Sequence, residues 1–262
     1  MSRPLVDRSA DLKRLEHEGY DLLIQGTNLL VKVPYVNAQR KIAQGILVSE
    51  LATEGGATTT PNTHVVYFVG AAPDDVPCDN DGNELQFLIH QRARKELGDG
   101  LVASCDFSHK PNPTYANYYE KMSTYANMLV GYAQAIDPEA TAKTFPPIPT
   151  DEGESVLRYH DSATSRAGIG AATEKLALRK IVIIGLGGTG SYILDLMAKT
   201  PVQAIHLYDG DVMLTHNAFR SPGAPTIEEL EKRLRKVDYL QAKYDAMHRQ
   251  VIIQGVVSAL TK

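Results

Sequence analysis

A glycine-rich segment, Gly185-Leu-Gly-Gly-Thr-Gly190, stands between a continuous apolar run and a predicted helix. The run at residues 179–184 is typical of a buried parallel strand, and residues 191–199 have the pattern of a helix with Ile193, Leu194 and Met197 turned inward. Loop glycines let backbone N–H groups approach a phosphate, and the helix N-terminus adds the positive end of its dipole. Asp209 ends the next predicted strand, residues 204–208, where a carboxylate accepts hydrogen bonds from ribose hydroxyls. The spacing predicts a nucleotide site; a tight turn without ligand is the alternative.

Three further motifs follow this loop in order. Tyr208-Asp-Gly-Asp211 ends the second strand, Asn217-Ala-Phe-Arg220 comes next, and Lys236 opens a Lys-Val-Asp segment. Together with the double glycine of the loop, this series resembles the adenylation domains of the ThiF/MoeB and ubiquitin-activating enzyme superfamily. Those domains carry Gly-x-Gly-Gly-x-Gly-Ser, Asp-x-Asp, Asn-x-x-Arg and a downstream lysine. All four motifs lie within residues 180–240, and a nicotinamide dehydrogenase would not need the last two.

The resemblance implies a role for each motif residue. Arg220 and Lys236 are implied catalytic residues, because a guanidinium grips two phosphate oxygens and an ammonium acts as a point charge. Arg166, in the pair Ser165-Arg166, is the third, and would reach the ATP of a neighbouring subunit in a homodimer. Asp209 would hold the ATP ribose. The implied cofactor-binding residues are Gly185, Gly187, Gly188, Gly190, Asp209, Asp211 and Asn217.

Simpler explanations remain open for single residues. Arg220 and Lys236 are also explained as solvated surface charges, and Asp211 as a cap of the following turn. Lys232 and Lys243 are rivals of Lys236, whose Lys-Val-Asp register fits the family pattern best.

Charge and hydropathy exclude several classes of protein. The 262 residues include 27 Lys and Arg against 31 Asp and Glu, a net charge of −4, which argues against a nucleic-acid partner. Mean hydropathy is −0.22 and no apolar run approaches about 18 residues, which argues against a membrane span. Cys78 and Cys105 are too few for a disulfide framework. With no signal-peptide pattern after Met1, we expect a cytoplasmic protein.

A proline-rich stretch at residues 144–153 divides the chain, because it can continue neither a helix nor a central strand. We predict an α/β protein with an α+β accessory domain over residues 1–143 and a linker over residues 144–165. Residues 166–262 are predicted to form the first half of a Rossmann-like ThiF-type adenylation domain, with a second helix over residues 228–250 and a third strand beginning at residues 251–253. Since only three strands are predicted there, we expect a truncated chain that is inactive by itself. The family's Mg²⁺-binding aspartate and thioester cysteine are expected beyond residue 262.

The accessory domain carries weaker chemical signals. Strands are predicted over residues 22–36, 43–51, 63–70 and 85–90, and helices over residues 9–18 and 115–135. A zinc site is one alternative, formed by histidines and cysteines that are scattered in the sequence: His64, Cys78, His90, Cys105 and His109. A conjugating cysteine at Cys78 or Cys105 is another. Tyrosines crowding the second helix favour a partner-docking surface, with core packing as the alternative: Tyr115, Tyr118, Tyr119, Tyr125 and Tyr132.

The leading hypothesis is a bacterial ThiF-type adenylyltransferase. It would use ATP and Mg²⁺ to adenylate the C-terminal carboxylate of a ubiquitin-like modifier protein, with a conjugating enzyme as a further partner. The alternative is a non-catalytic module of such a pathway that binds the modifier or the conjugating enzyme. A nicotinamide-dependent oxidoreductase is a third hypothesis, which rests on the glycine loop alone.

Overall fold

The computed structural model describes residues 3–255, and the chain divides between Pro146 and Pro147 into two compact units. The first unit combines helices with antiparallel strands, and the second is built on parallel strands. This confirms the predicted fold class, an α+β unit followed by a Rossmann-like segment. Within the described residues, no helix has both the length and the apolar character needed to cross a membrane.

Antiparallel strands form the body of the first unit. Its elements are α1 (Arg3–Arg8), α2 (Ala10–His17), β1 (Leu22–Gln25), β2 (Asn28–Val36), β3 (Ile42–Glu50), β4 (Thr53–Glu54), β5 (Ala57–Thr58), β6 (Val65–Val69), β7 (Ile89–Gln91), β8 (Lys95–Gly98), β9 (Leu101–Ala103), β10 (Cys105–Ser108) and α3 (Tyr118–Gln134). Six strands form one sheet in the order β1-β2-β3-β6-β10-β7, and β4–β5 and β8–β9 form two small two-stranded sheets. Helix α3 packs on β2, which is buried along most of its length.

Helix α3 begins at Tyr118, three residues later than predicted, because Asn117 caps it. The Asn117 side chain accepts a hydrogen bond from the Glu120 backbone N–H. Tyr118, Met122 and Tyr125 recur at helical spacing and are fully buried against the sheet. One face of this helix is therefore part of the core.

Buried tyrosine hydroxyls in this core donate to backbone carbonyls. Tyr118 donates to the Glu50 carbonyl oxygen at 2.9 Å, and Tyr125 donates to the His64 carbonyl oxygen at 2.6 Å. Tyr115 is buried in the same cluster. The docking role predicted for the tyrosines is therefore wrong for these three, which lie inside the unit.

One predicted strand of the first unit is displaced. The sequence predicts a strand over residues 85–90, whereas β7 covers Ile89–Gln91. The Ile89 N–H donates to the Leu85 carbonyl oxygen, which closes a turn ahead of the strand. Leu85 and Leu88 are nevertheless buried in the core, so their apolar character reflects packing and not strand pairing.

Lys121 places a fully buried ammonium group within the core of the first unit. Its Nζ donates to the Ser49 Oγ at 2.9 Å and to the Thr63 carbonyl oxygen at 2.8 Å, both neutral acceptors. Burial lowers the pKa of Lys121 from 10.5 to about 8. The charged form is therefore less stable in the folded chain than in the unfolded one.

We expect the free energy of unfolding to rise with pH above about 8. Between the folded pKa of about 8 and the unfolded value of 10.5, the unfolded chain binds a proton that the native protein has released. Relative to Lys121→Met, the wild type should gain about 2 kcal/mol between roughly pH 7.5 and 9.5 in urea denaturation followed by circular dichroism. Lys41→Met, at an exposed position, is the control and should leave this gain intact. Equal pH dependence in the wild type and Lys121→Met would contradict a buried charge.

Within the described residues of the second unit, three parallel strands form one sheet in the order β11-β12-β13. Its elements are α4 (Ser162–Ala167), α5 (Gly170–Glu174), β11 (Ile181–Ile184), α6 (Gly188–Met197), β12 (Ile205–Tyr208), α7 (Thr215–Ala218), α8 (Ile227–Glu231), α9 (Lys236–Asp245) and β13 (Val251–Gly255). Ile205 pairs with Ile181 on one side and with Val251 on the other. Leu194 of α6 and Leu240 of α9 pack in a core that includes these strands.

A single helix over residues 228–250 was expected from the sequence, and this expectation is wrong. Helix α8 ends at Glu231 and α9 begins at Lys236. Arg233 between them has a φ of +48°, in the left-handed region through which a right-handed helix does not continue. The break makes Lys236 the first residue of its own helix.

Apolar side chains remain exposed along β11 and α6. Val182 is 51% exposed and Ile184 is 72% exposed, and β11 lies at one edge of the described sheet. Ile193, predicted to face inward, is also exposed, whereas its neighbour Leu194 is buried. Successive helix residues lie about 100° apart, and in α6 this rotation turns Ile193 away from the face on which Leu194 packs.

Backbone hydrogen bonds order part of the proline-rich region within the second unit. The Thr150 N–H donates to the Arg158 carbonyl oxygen at 3.0 Å, and the Arg158 N–H donates to the Met247 carbonyl oxygen at 2.8 Å. Arg166, the arginine of the Ser-Arg pair and a predicted site residue, lies on α4, which comes after this region in the chain.

Candidate functional site

The glycine loop connects β11 to α6 in a tight turn. Gly185 has a φ of +86°, a conformation that favours glycine, and its N–H donates to the Tyr208 carbonyl oxygen at 2.8 Å. Gly187 caps α6, which begins at Gly188. Helix α6 thus starts three residues earlier than predicted, because Gly188 and Gly190 already belong to its first turn. A groove of about 460 Å³ lies against this loop and β11.

Close backbone approach explains the last glycine of the loop. A Cβ at Gly190 would lie 1.8 Å from the Gly185 carbonyl oxygen, far inside van der Waals contact. A Cβ at Gly187 would meet nothing within 4 Å. Gly190 is therefore required by the fold, and Gly187 leaves open space beside the helix N-terminus, where phosphates bind in nucleotide sites.

Asp209 joins the end of β12 to the glycine loop. Its Oδ2 accepts a hydrogen bond from the Leu186 N–H at 2.5 Å, and its Oδ1 accepts one from the Asp211 N–H at 2.7 Å. The side chain of Asp209 is only 6% exposed. The carboxylate therefore stabilises the loop, a structural contribution that the sequence motif alone does not reveal.

Lys236 completes a charged cluster with the two aspartates. Its Nζ lies 2.6 Å from the Asp211 Oδ2 and 3.8 Å from the Asp209 Oδ2. The hydrogen bond from Lys236 lowers the pKa of Asp211. Lys232 caps the end of α8, and Lys243 donates to the Pro222 carbonyl oxygen, so neither rival makes these contacts.

Asn217 and Arg220 come from the short helix α7 and its C-terminal turn. Asn217 is buried, and its Oδ1 accepts a hydrogen bond from the Leu214 N–H at 3.0 Å. The Arg220 carbonyl oxygen would lie 3.2 Å from a Cβ at Gly188, which places Arg220 beside the glycine loop. The Arg220 side chain is exposed. The structure thus brings together the loop, the two aspartates, Lys236 and Arg220, and Arg166 lies in the last turn of α4.

Comparison with known families divides the chain into two matches. Residues 10–162, more than half of the chain, match the family described as Domain of unknown function (DUF6791). The chain belongs to the DUF6791 family. Residues 161–262 of this DUF6791 protein match the ThiF family. The resemblance seen in the motifs is therefore confirmed: the protein is a ThiF-type superfamily member with an additional N-terminal domain.

Several solved structures resemble parts of this DUF6791 protein. E. coli MccB with MccA is 19% identical over 34% of this chain and 26% of that chain, with a TM-score of 0.30. TcdA (CsdL) is 25% identical over 35% of this chain and 37% of that chain, with a TM-score of 0.29. PaaA is 18% identical over 55% of this chain and 47% of that chain, with a TM-score of 0.31. The DUF6791 protein thus spans less than half of each of these chains, and no curated protein sequence matches it.

The cysteines of the DUF6791 protein lack the environment of a reactive thiol. Cys78 and Cys105 are both buried. Burial raises the pKa of both thiols, that of Cys105 to about 12. A conjugating cysteine at either position is therefore wrong for this structure. The zinc alternative also lacks a ligand set, since residues 3–255 contain no cluster of three His, Cys, Asp or Glu side chains arranged around a metal position.

Proposed function

We propose that the second unit carries the ATP-binding part of a site at which the native protein adenylates the C-terminal carboxylate of a ubiquitin-like modifier protein. One observation carries the proposal: the Leu186–Asp209 hydrogen bond joins the glycine loop to the cluster of Asp209, Asp211 and Lys236. Backbone donors, a carboxylate for a ribose and a cation for phosphates thereby meet at the carboxyl ends of β11 and β12. This edge of a parallel α/β sheet is where ligands bind in such folds.

The reaction would proceed by attack of a substrate carboxylate oxygen on the α-phosphate of ATP, with pyrophosphate leaving. The N–H groups at the start of α6 would hold phosphate oxygens, and Asp209 would accept hydrogen bonds from the ribose. Arg220 and Lys236, with Asn217, would contact the triphosphate and stabilise charge developing on its oxygens. Arg166 would act across a homodimer on the ATP of the partner subunit.

The part of the chain that the structure describes does not provide a set of ligands for Mg²⁺. Protein sites usually hold this ion with one or two carboxylates together with substrate phosphates. The Lys236 ammonium lies 2.6 Å from the Asp211 carboxylate and 3.8 Å from that of Asp209, so a cation already lies beside both carboxylates. No residue of the described chain is therefore assigned to Mg²⁺.

The test is ATP–pyrophosphate exchange by the native protein, with purified ubiquitin-like proteins from the same organism offered singly. Exchange that requires one of these proteins and is lost when its C-terminal residue is removed would support the proposal. Binding of a ubiquitin-like protein with ATP bound but not exchanged would overturn adenylation in favour of a non-catalytic module. Binding of NAD in place of ATP would overturn both.

A further inference from the structure

Asp211 and Asp209 compete for one buried ammonium group. The Nζ of Lys236 lies 2.6 Å from Asp211 and 3.8 Å from Asp209, so only Asp211 is within hydrogen-bonding distance. The side chains of Lys236 and Asp209 are each 6% exposed, whereas that of Asp211 is 75% exposed. The buried ammonium is therefore hydrogen-bonded to an exposed carboxylate, although a buried carboxylate lies close by.

The backbone fixes this arrangement from both ends. The Lys236 N–H donates to the Asp211 carbonyl oxygen at 2.9 Å, which anchors the start of α9 on the segment after β12. The Asp211 N–H in turn donates to the Asp209 Oδ1. Main-chain contacts thus hold the three residues in place.

We infer that Asp211 is a positioning residue that keeps Lys236 off Asp209, so that Asp209 remains available to a ribose. This inference rests on the proposed function, since it assumes that Asp209 binds the ribose of ATP. Without the Asp211 carboxylate, the Lys236 ammonium closes the 3.8 Å gap and pairs with Asp209. The lone pairs that would receive ribose hydroxyls are then used by the lysine.

The test compares ATP with 2′,3′-dideoxy-ATP, which lacks the ribose hydroxyls, by titration calorimetry on the native protein. We expect the wild type to prefer ATP by about tenfold, the value of one hydrogen bond to a charged group. Asp211→Asn should lower this preference to less than about twofold, and Asp211→Glu should retain it. Asp238→Asn, which removes an exposed carboxylate of α9 paired with Arg235, is the matched control and should behave as the wild type.

A double variant separates positioning from a merely structural role. In Asp211→Asn with Lys236→Met no ammonium is left to occupy Asp209, so the preference for ATP should return to about tenfold, although overall affinity falls. An unchanged preference in Asp211→Asn, or no recovery in the double variant, would overturn the inference while leaving the proposed function standing. A wild type that binds neither nucleotide would overturn the proposed function and the inference with it.

Discussion

Gly190→Ala is expected to destabilise the second unit by about 3 kcal/mol or more, because the added methyl group has no space. Its Cβ would lie 1.8 Å from the Gly185 carbonyl oxygen and 3.0 Å from the Gly185 carbonyl carbon. Both are backbone atoms, and Gly185 already has a φ of +86°. The loop can therefore relieve the clash only by breaking the contact between β11 and α6.

Hydrogen exchange measured by mass spectrometry would report this loss in the second unit separately from the first. Amides of α6 should exchange much faster in Gly190→Ala than in the wild type. Gly187→Ala is the matched control in the same loop, since its Cβ would meet nothing within 4 Å. Its effect on stability should stay within about 1 kcal/mol. Equal protection in the wild type and Gly190→Ala would show that the described loop conformation is wrong.

Arg220→Ala is expected to lower the rate of ATP–pyrophosphate exchange by about 10²–10³-fold without destabilising the fold. The guanidinium is exposed beside the glycine loop, so its removal leaves no cavity. Its proposed work is to stabilise charge on phosphate oxygens, an interaction that strengthens as pyrophosphate leaves. The loss should therefore appear in the rate of exchange more than in the affinity for ATP.

Two further variants sharpen this prediction. Arg220→Lys keeps the charge but lacks the two-pronged guanidinium, so we expect an intermediate rate. Arg179→Ala removes another exposed arginine of the same unit, just before β11, and should exchange at the wild-type rate. If Arg179→Ala and Arg220→Ala were equally active, Arg220 would be a solvated surface charge.

Local patterns in the sequence were sufficient to predict the strands and the helix around the glycine loop. The apolar run before Gly185 predicted β11, the loop glycines predicted the turn into α6, and the run ending at Asp209 predicted β12. Each of these signals lies within a few consecutive residues, so the backbone conformation follows from local preferences. The family motifs could be recognised for the same reason, since each is a short segment of fixed spacing.

Local patterns failed where the outcome depends on tertiary packing. A continuous helical pattern hid the break at Arg233, and Tyr118 and Tyr125 of α3 resembled interface residues although their hydroxyls find backbone acceptors inside the core. Nothing near Lys121 in sequence announces its burial, because its acceptors Ser49 and Thr63 are 72 and 58 residues away.

The candidate site shows the same division. The sequence by itself determined which residue types are present: a glycine loop, two aspartates, an arginine and a lysine at family spacing. Only the tertiary structure decided that Lys236 pairs with Asp211, 25 residues earlier, and that Asp209 bonds to Leu186, 23 residues before it. Such pairings depend on which segments the parallel sheet brings to one edge. The Lys236 ammonium lies 2.6 Å from one carboxylate and 3.8 Å from another, and this geometry determines its hydrogen-bond partner.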